Sequence, residues 1–155
     1  MYEHILVPLD GTETSQRGLD EAIRLAGLTK GRLRLFHAVG DMAMAHAMDA
    51  YEDHGGHWVE AMRAYGTKLL EDASETARVA GVQSESVLHS SFTGRMAELV
   101  AAQASEWPAD IVVLGTHGRH GAKRLLLGSG AEAVLRTSPV PVLLVRDAPS
   151  STAAA

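Results

Sequence analysis

Five short apolar runs, separated by stretches with helical periodicity, constrain the fold of this 155-residue chain more than any other feature of its sequence. The clearest of them are nearly continuous in Val, Ile and Leu, a pattern that is typical of parallel strands buried on both faces of a sheet. The third is the weakest, because it depends mainly on Val87, Leu88 and its position after a helix. The predicted strands span residues 4–9, 32–39, 83–89, 109–114 and 140–145.

Three of the intervening stretches place apolar residues three and four positions apart, which predicts amphipathic helices. The longest begins near Trp58, and Gly81 lies where its C-terminus favours a left-handed residue. Residues 40–57 show neither helical nor strand period and are predicted to form a loop. The apolar stripes are Leu19, Ala22, Ile23 and Ala26; Met62, Tyr65, Leu69 and Ala73; and Met96, Leu99, Val100 and Gln103.

A fourth, shorter helix is predicted between the last two strands, with Val134 and Leu135 as its apolar residues. Ser129 is followed three residues later by Glu132. This is the pattern of a capping box, in which each side chain accepts a hydrogen bond from a backbone N–H of the first turn. The sequence therefore predicts that Ser129 caps this helix.

Strands that alternate with helices favour an α/β fold in which helices cover both faces of one open parallel sheet. Right-handed crossovers then predict a doubly wound five-stranded sheet with the strand order 3-2-1-4-5. A chain of 155 residues suffices for one core and is too short for two ordinary domains, so residues 1–146 are predicted to form a single domain. Residues 147–155 are rich in Ser, Pro and Ala and are predicted to be a disordered tail.

The composition argues against several classes of function. The formal net charge of −5 disfavours a general nucleic-acid-binding protein, which needs a broad positive surface. The absence of cysteine excludes disulfide bonds, thiolate nucleophiles and cysteine-ligated metals. There is no apolar run of about eighteen residues, and the first residues lack the pattern of a signal peptide. We therefore expect a cytoplasmic protein that binds neither nucleic acid nor membranes.

In a doubly wound sheet, ligands bind where the strand order reverses, here at the carboxyl ends of strands one and four, which Asp10 and Gly115 mark. From Gly115 to Ser129 the sequence is GTHGRHGAKRLLLGS, and no Asp or Glu occurs between Ile111 and Ala131. Glycines at a strand end allow backbone N–H groups to approach an anion, and a helix N-terminus also favours one. The segment is therefore predicted to bind phosphate. The alternative is that its glycines only permit turns.

Other nucleotide motifs explain these residues less well. Gly128, Gly130 and Ala133 match GxGxxA, but they lie well beyond the end of the fourth strand and not in a first strand-to-helix turn. The stretch HGRH at 117–120 has the wrong order and location for a nucleotidyltransferase. No GxxxxGK[ST] sequence occurs, so the ordinary P-loop is absent.

The eight histidines suggest metal binding as a further alternative. Imidazole and thioether ligands suit copper or zinc, although solvated loop residues are the commoner explanation of such a segment. His37, on the second strand, is more often a satisfied core or edge histidine than a ligand. The candidate metal ligands of the predicted loop are His46, His54 and His57 with Met42, Met44 and Met48.

Gly115, Gly118, Gly128 and Ser129 follow the spacing Gly-x2-Gly-x9-Gly-Ser. This long and specific spacing resembles the motif of the ATP-binding branch of the universal stress protein family. The similarity covers roughly residues 2–146, with ILVPLDGTETS and PVPVLLV resembling the first and last strands of that family. Gly130 departs from the family pattern, in which a small apolar residue commonly follows the Ser.

The resemblance implies that ATP, or alternatively ADP or AMP, binds at the point of reversal. Asp10 is also a candidate to approach a phosphate-bound Mg²⁺, because Mg²⁺ commonly bridges one carboxylate and phosphates. The alternative for Asp10 is a turn residue that satisfies local backbone groups. The residues assigned to the nucleotide are Pro8, Leu9, Asp10 and Val39 on one side, and Leu114, Gly115, Thr116, His117, Gly118, Arg119, Gly128, Ser129 and Gly130 on the other.

Three functions stay open. The first is a binding protein whose occupancy by ATP is a signal to an unknown downstream protein. The second is a slow Mg²⁺-dependent ATPase, for which the sequence offers no convincing general base or arginine clamp, so no residue is assigned as catalytic. The third is a nucleotide-independent dimeric interaction protein, a hypothesis that the intact glycine motif weakens.

The last predicted strand, from Val140 to Val145, is expected to form an edge of the sheet. An apolar edge strand presents unpaired backbone groups that invite pairing, although Pro139 and Pro141 limit it locally. Antiparallel pairing with a second copy across a two-fold axis would cover this edge. The resemblance implies similar homodimers.

Overall fold

The computed structural model describes residues 1–39, 57–90, 94–116 and 128–146, which form five strands and four helices in alternation. Most of the predicted loop (40–56) and the predicted tail (147–155) lie outside the described residues. The strands are β1 (His4–Pro8), β2 (Arg32–Ala38), β3 (Ser84–His89), β4 (Ile111–Thr116) and β5 (Val142–Arg146). The helices are α1 (Glu13–Thr29), α2 (His57–Val79), α3 (Met96–Glu106) and α4 (Ser129–Thr137).

The strands form one parallel sheet in the order β3-β2-β1-β4-β5, which confirms the predicted topology. β1 pairs with β2 on one side, and on the other it pairs with β4 through Ile5 opposite Ile111 and Leu6 opposite Val112. The strand order reverses between β1 and β4. Their carboxyl ends therefore open onto a crevice that is typical of ligand sites in this class of fold.

Alternate residues of β1 face two separate apolar cores. Ile5 and Val7 pack on one side of the sheet with α1 and α2, whereas Leu6 packs on the other side with residues of α3 and α4. All three side chains are completely buried. Helices on both faces, as predicted, explain why β1 and the first four residues of β4 are nearly continuous in apolar residues.

The last two strands begin two residues later than the sequence predicts. β4 therefore extends through Gly115 and Thr116, and the phosphate loop of the prediction starts inside the sheet. Pro141 explains the late start of β5, because proline has no N–H to donate to a strand ladder. Its carbonyl still accepts the N–H of Val112 at 2.9 Å.

The capping box predicted at Ser129 is wrong. Gly128 is the N-cap of α4, with no side-chain hydrogen bond, and Ser129 is the first helical residue. Since the helix begins one residue earlier than the motif assumes, Glu132 lies too far along the first turn to reach back to the cap. Its carboxylate instead pairs with Arg136 at 2.8 Å, one turn further on.

The long helix α2 agrees with its prediction. It ends at Val79, and Gly81 follows in the left-handed conformation, with φ at 76°. None of the helices in the described part of the chain is both long and apolar enough to cross a membrane.

Asp110 joins the starts of β1 and β4 at the edge of the sheet opposite the crevice. Its Oδ2 accepts the backbone N–H of Glu3 at 2.8 Å and of His4 at 2.9 Å. These hydrogen bonds, above all the one from His4, lower the pKa of the Asp110 carboxyl. The ionised carboxylate of Asp110 therefore helps to align the start of β1 with the start of β4.

Candidate functional site

The predicted site residues that the structure describes all belong to the carboxyl edge of the sheet. In a parallel sheet every strand ends at this edge, and each following helix begins there. His117, Gly118 and Arg119 lie outside the described residues, as does the rest of segment 117–127. The described ones are Pro8 at the end of β1, with Leu9 and Asp10 after it; Val39 after β2; Leu114, Gly115 and Thr116 in β4; and Gly128, Ser129 and Gly130 at the start of α4.

Three apolar members of this set are buried, and we call the two that follow β1 and β2, Leu9 and Val39, the buried floor. Leu9 is 2% exposed, Val39 3% and Leu114 7%. Thr116 is also buried, and its hydroxyl donates to the carbonyl of Val145 at 3.4 Å, joining β4 to β5. Asp10, by contrast, is exposed at the crevice.

Asp10 organises the turn between β1 and α1. Its Oδ1 accepts hydrogen bonds from the N–H of Thr12 at 2.9 Å and from the Thr12 hydroxyl at 2.6 Å. The Thr12 hydroxyl oxygen in turn accepts the N–H of Ser15 at 3.2 Å, so Thr12 is the N-cap of α1. Asp10 is therefore a turn residue, one of its two predicted roles, and its carboxylate is held by the turn in a fixed orientation.

Gly115 has a steric role that the sequence did not indicate. A Cβ at this position would overlap the carbonyl oxygen of Thr14, in the first turn of α1. Opposite it, a Cβ on Gly18 would lie 2.8 Å from the backbone nitrogen of Gly115. The two glycines thus allow the backbones of α1 and β4 to touch, which explains Gly115 by packing inside the fold.

The first turn of α4 is open to solvent at the crevice edge. Ser129 and Gly130 are exposed, and a Cβ built on Gly130 meets none of the described residues within 4 Å. The small apolar residue that the family pattern has at this position would therefore fit. The first N–H groups of a helix and its dipole give this turn a positive potential.

His37 is a satisfied core histidine, as predicted. It is 9% exposed, and its Nδ1 lies 2.7 Å from the carbonyl oxygen of Leu9. Because a carbonyl can only accept, Nδ1 carries the proton and donates it to this bond. His37 thereby holds the end of β1 from the neighbouring strand.

Tyr65 lies beside the candidate site, although the sequence analysis placed it only in the apolar stripe of the long helix. Its hydroxyl packs against Gly11, where a Cβ would overlap it, and its ring lies 6.2 Å from that of His37. The sequence did contain one signal of close packing in this region. Gly18 and Gly66 lie inside helices, where glycine is unfavourable unless a neighbouring segment approaches closely.

Metal binding by the predicted loop stays untested. His46 and His54 lie outside the described residues, and the side chain of His57 is not described. Among the side chains that the structure describes, no group of three or more His, Asp or Glu could hold a metal ion.

The sequence model of the universal stress protein family matches residues 1–146 of this chain. The chain belongs to the universal stress protein family. Of its curated relatives, the universal stress protein YxiE of Bacillus subtilis (strain 168) is 32% identical over 152 residues, covering 94% of this chain and 100% of that protein.

Solved structures of the universal stress protein family share the fold. One from Burkholderia pseudomallei is 30% identical, with a TM-score of 0.74 over 93% of this chain and 96% of that one. Another, from Archaeoglobus fulgidus in complex with dAMP, is 21% identical, with a TM-score of 0.64 over 92% of this chain and 97% of that one.

We expect Gly115→Ala to destabilise the protein by about 1–3 kcal/mol, because the new methyl group overlaps the Thr14 carbonyl. Gly130→Ala is the matched control, since its methyl group contacts no other residue in the described part of the chain. That variant should equal the wild type or exceed it slightly. Urea unfolding measures both, and equal stability of the two variants would contradict the steric role of Gly115.

Proposed function

We propose that this universal stress protein is a cytoplasmic stress-response protein of the ATP-binding branch, which binds an adenine nucleotide at the β1–β4 crevice. ATP is the favoured ligand, with ADP and AMP as alternatives, and occupancy is the signal to a downstream protein. One observation carries the proposal. The exposed Asp10 turn, the buried floor after β1 and β2, and the open first turn of α4 share one edge of the sheet, at the strand reversal.

The phosphates are assigned to the start of α4 and the segment before it. Gly128 and Gly130 present backbone without side chains, and the helix dipole favours negative charge at this end. The motif adds Gly118, with His117 and Arg119 beside it, and an arginine pairs well with phosphate oxygens. Since Thr116 is buried and bonded to Val145, its contribution to the site is through its backbone.

The nucleoside is assigned to the side of the crevice formed by β1 and β2. Pro8, Leu9 and Val39 supply an apolar floor there, whereas Leu114 leads with Gly115 into the phosphate side. Apolar surfaces with a few polar groups are typical of small-molecule sites. The Archaeoglobus relative with dAMP supports an adenine nucleotide as the class of ligand for this fold.

Asp10 fits a role beside a phosphate-bound Mg²⁺. Its carboxylate is exposed and oriented by Thr12, and Mg²⁺ in nucleotide sites commonly takes one or two carboxylates besides phosphates and water. The metal would neutralise phosphate charge when bound. The residue that would hold it in this chain is Asp10.

Equilibrium dialysis with ATP and Mg²⁺ tests the proposal. The wild type should bind ATP saturably, and Ser129→Asp should weaken binding at least about tenfold, because a carboxylate in the first turn of α4 repels phosphate. The same substitution suits the helix N-terminus, so stability should not fall. This separates loss of binding from loss of fold.

Ser105→Asp is the matched control. It adds the same charge at an exposed serine near the C-terminal end of α3, away from the crevice. Its affinity for ATP should stay within about twofold of the wild type, since exposed charges beyond a Debye length are screened. A wild type with no saturable binding, or equal losses in both variants, would overturn the proposal.

We also propose a homodimer that pairs through β5. In the described part of the sheet β5 pairs only with β4, and Val142 to Val145 are half-buried, not fully covered. Leu135 of α4, the helix that precedes β5 along the chain, is 48% exposed. Sedimentation equilibrium should give twice the mass of one chain, whereas a single-chain mass at every concentration would contradict the dimer.

A further inference from the structure

Helix α2 lies unusually close to β2 and β3 at one point. A Cβ on Gly66 would be 2.6 Å from Cδ2 of His37 and 2.7 Å from a methyl carbon of Leu88. Glycine is unfavourable inside a helix relative to alanine, and at Gly66 it allows α2 to approach the sheet closely. The approach brings the neighbouring residue, Tyr65, over the carboxyl end of β1.

Tyr65 then touches the turn between β1 and α1. Its ring meets that of His37 edge-on, at an interplanar angle of 68°, and its hydroxyl packs against Gly11. Gly11 has φ at 81°, a conformation that other residues rarely adopt, and a side chain there would also displace Tyr65. The contact thus depends on glycine for two separate reasons.

The turn is therefore held on both sides of Asp10. Before it, the Leu9 carbonyl accepts the Nδ1–H of His37 at 2.7 Å, and the Leu9 N–H donates to Phe36 at 2.8 Å. After it, Gly11 is covered by Tyr65. Since His37 and Tyr65 also contact each other, α2 and β2 form one support for the turn that carries the Asp10 carboxylate.

We propose that Tyr65 is a positioning residue for the nucleotide site, acting through Gly11 to hold Asp10 in its binding orientation. This inference rests on the proposed function, because it names a residue that orders the same site. Tyr65 is half-exposed, so its ring contributes less to the core than a buried aromatic residue does. Removing it should therefore loosen the turn more than the whole fold.

Hydrogen exchange and ATP dialysis on Tyr65→Ala, in the full chain, test the proposal. The Thr12 amide, which donates to Asp10, should exchange about tenfold faster, while amides of β4 exchange as in the wild type. Affinity for ATP should fall about tenfold. Tyr65→Phe keeps the ring on His37 but removes the hydroxyl that packs against Gly11, so it should shift both quantities in the same direction as Tyr65→Ala, by a smaller factor of about threefold.

Val79→Ala is the control on the same helix. Val79 is 74% exposed at the far end of α2, and its loss should alter neither Thr12 exchange nor ATP affinity. The inference would be overturned if the exchange rate of the Thr12 amide were unchanged in Tyr65→Ala. It would also be overturned if the exchange rates of all amides rose equally. A wild-type affinity in Tyr65→Ala would overturn it as well.

The two proposals fail in different ways. If the wild type takes up no ATP, nucleotide binding is wrong, and the exchange of Thr12 alone then decides whether Tyr65 holds the turn. If the wild type binds ATP and Tyr65→Ala binds it equally well, nucleotide binding stands and the role of Tyr65 falls.

Discussion

The contact between α1 and β4 is the one on which the crevice depends. Gly18 and Gly115 leave no room for a side chain between them, and the Thr14 carbonyl lies directly against the end of β4. This close approach holds the first turn of α1 beside a strand that is distant in sequence. Because Thr12 caps that turn and is bonded to Asp10, the position of Asp10 follows from the same contact. A larger residue at either glycine would move Asp10 away from β4.

The other side of the same turn is supported by α2. Tyr65 of α2 lies on Gly11, and His37 of β2 donates to Leu9, so α2 and β2 both contact the turn. A ligand that shifts the turn must therefore change the packing of α1, α2 or both. Under the proposed function, this packing would transmit nucleotide occupancy to the protein surface without any reaction of the nucleotide.

The topology could be predicted from the sequence, because crossover handedness leaves few orders for alternating strands and helices. Gly81 and the burial of His37 were also predicted, since each depends on local sequence or on a single strand. The N-cap of α4 was not predicted correctly. Gly128 and Ser129 are both acceptable N-cap residues, and the backbone conformation determines which of them is the cap.

The steric roles of Gly115 and Gly11 were also unpredictable from the sequence, but the reason differs from that for the cap of α4. Each depends on a partner from a distant segment, Thr14 in one case and Tyr65 in the other. A glycine that permits close packing and a glycine that exposes backbone to a ligand look identical in a sequence. The motif lies at the strand-reversal edge of the sheet, whereas the steric reason for Gly115 became visible only in the fold.

The most direct test of nucleotide binding at this crevice is an amide NMR titration of the full chain with ATP and Mg²⁺. We expect the largest shift changes at Asp10, Val39, Gly115 and Gly130, and little change at Gly81, on the opposite edge of the sheet. Saturable changes confined to the crevice would support the account. Changes centred on the opposite edge, or none at saturating ATP, would contradict it.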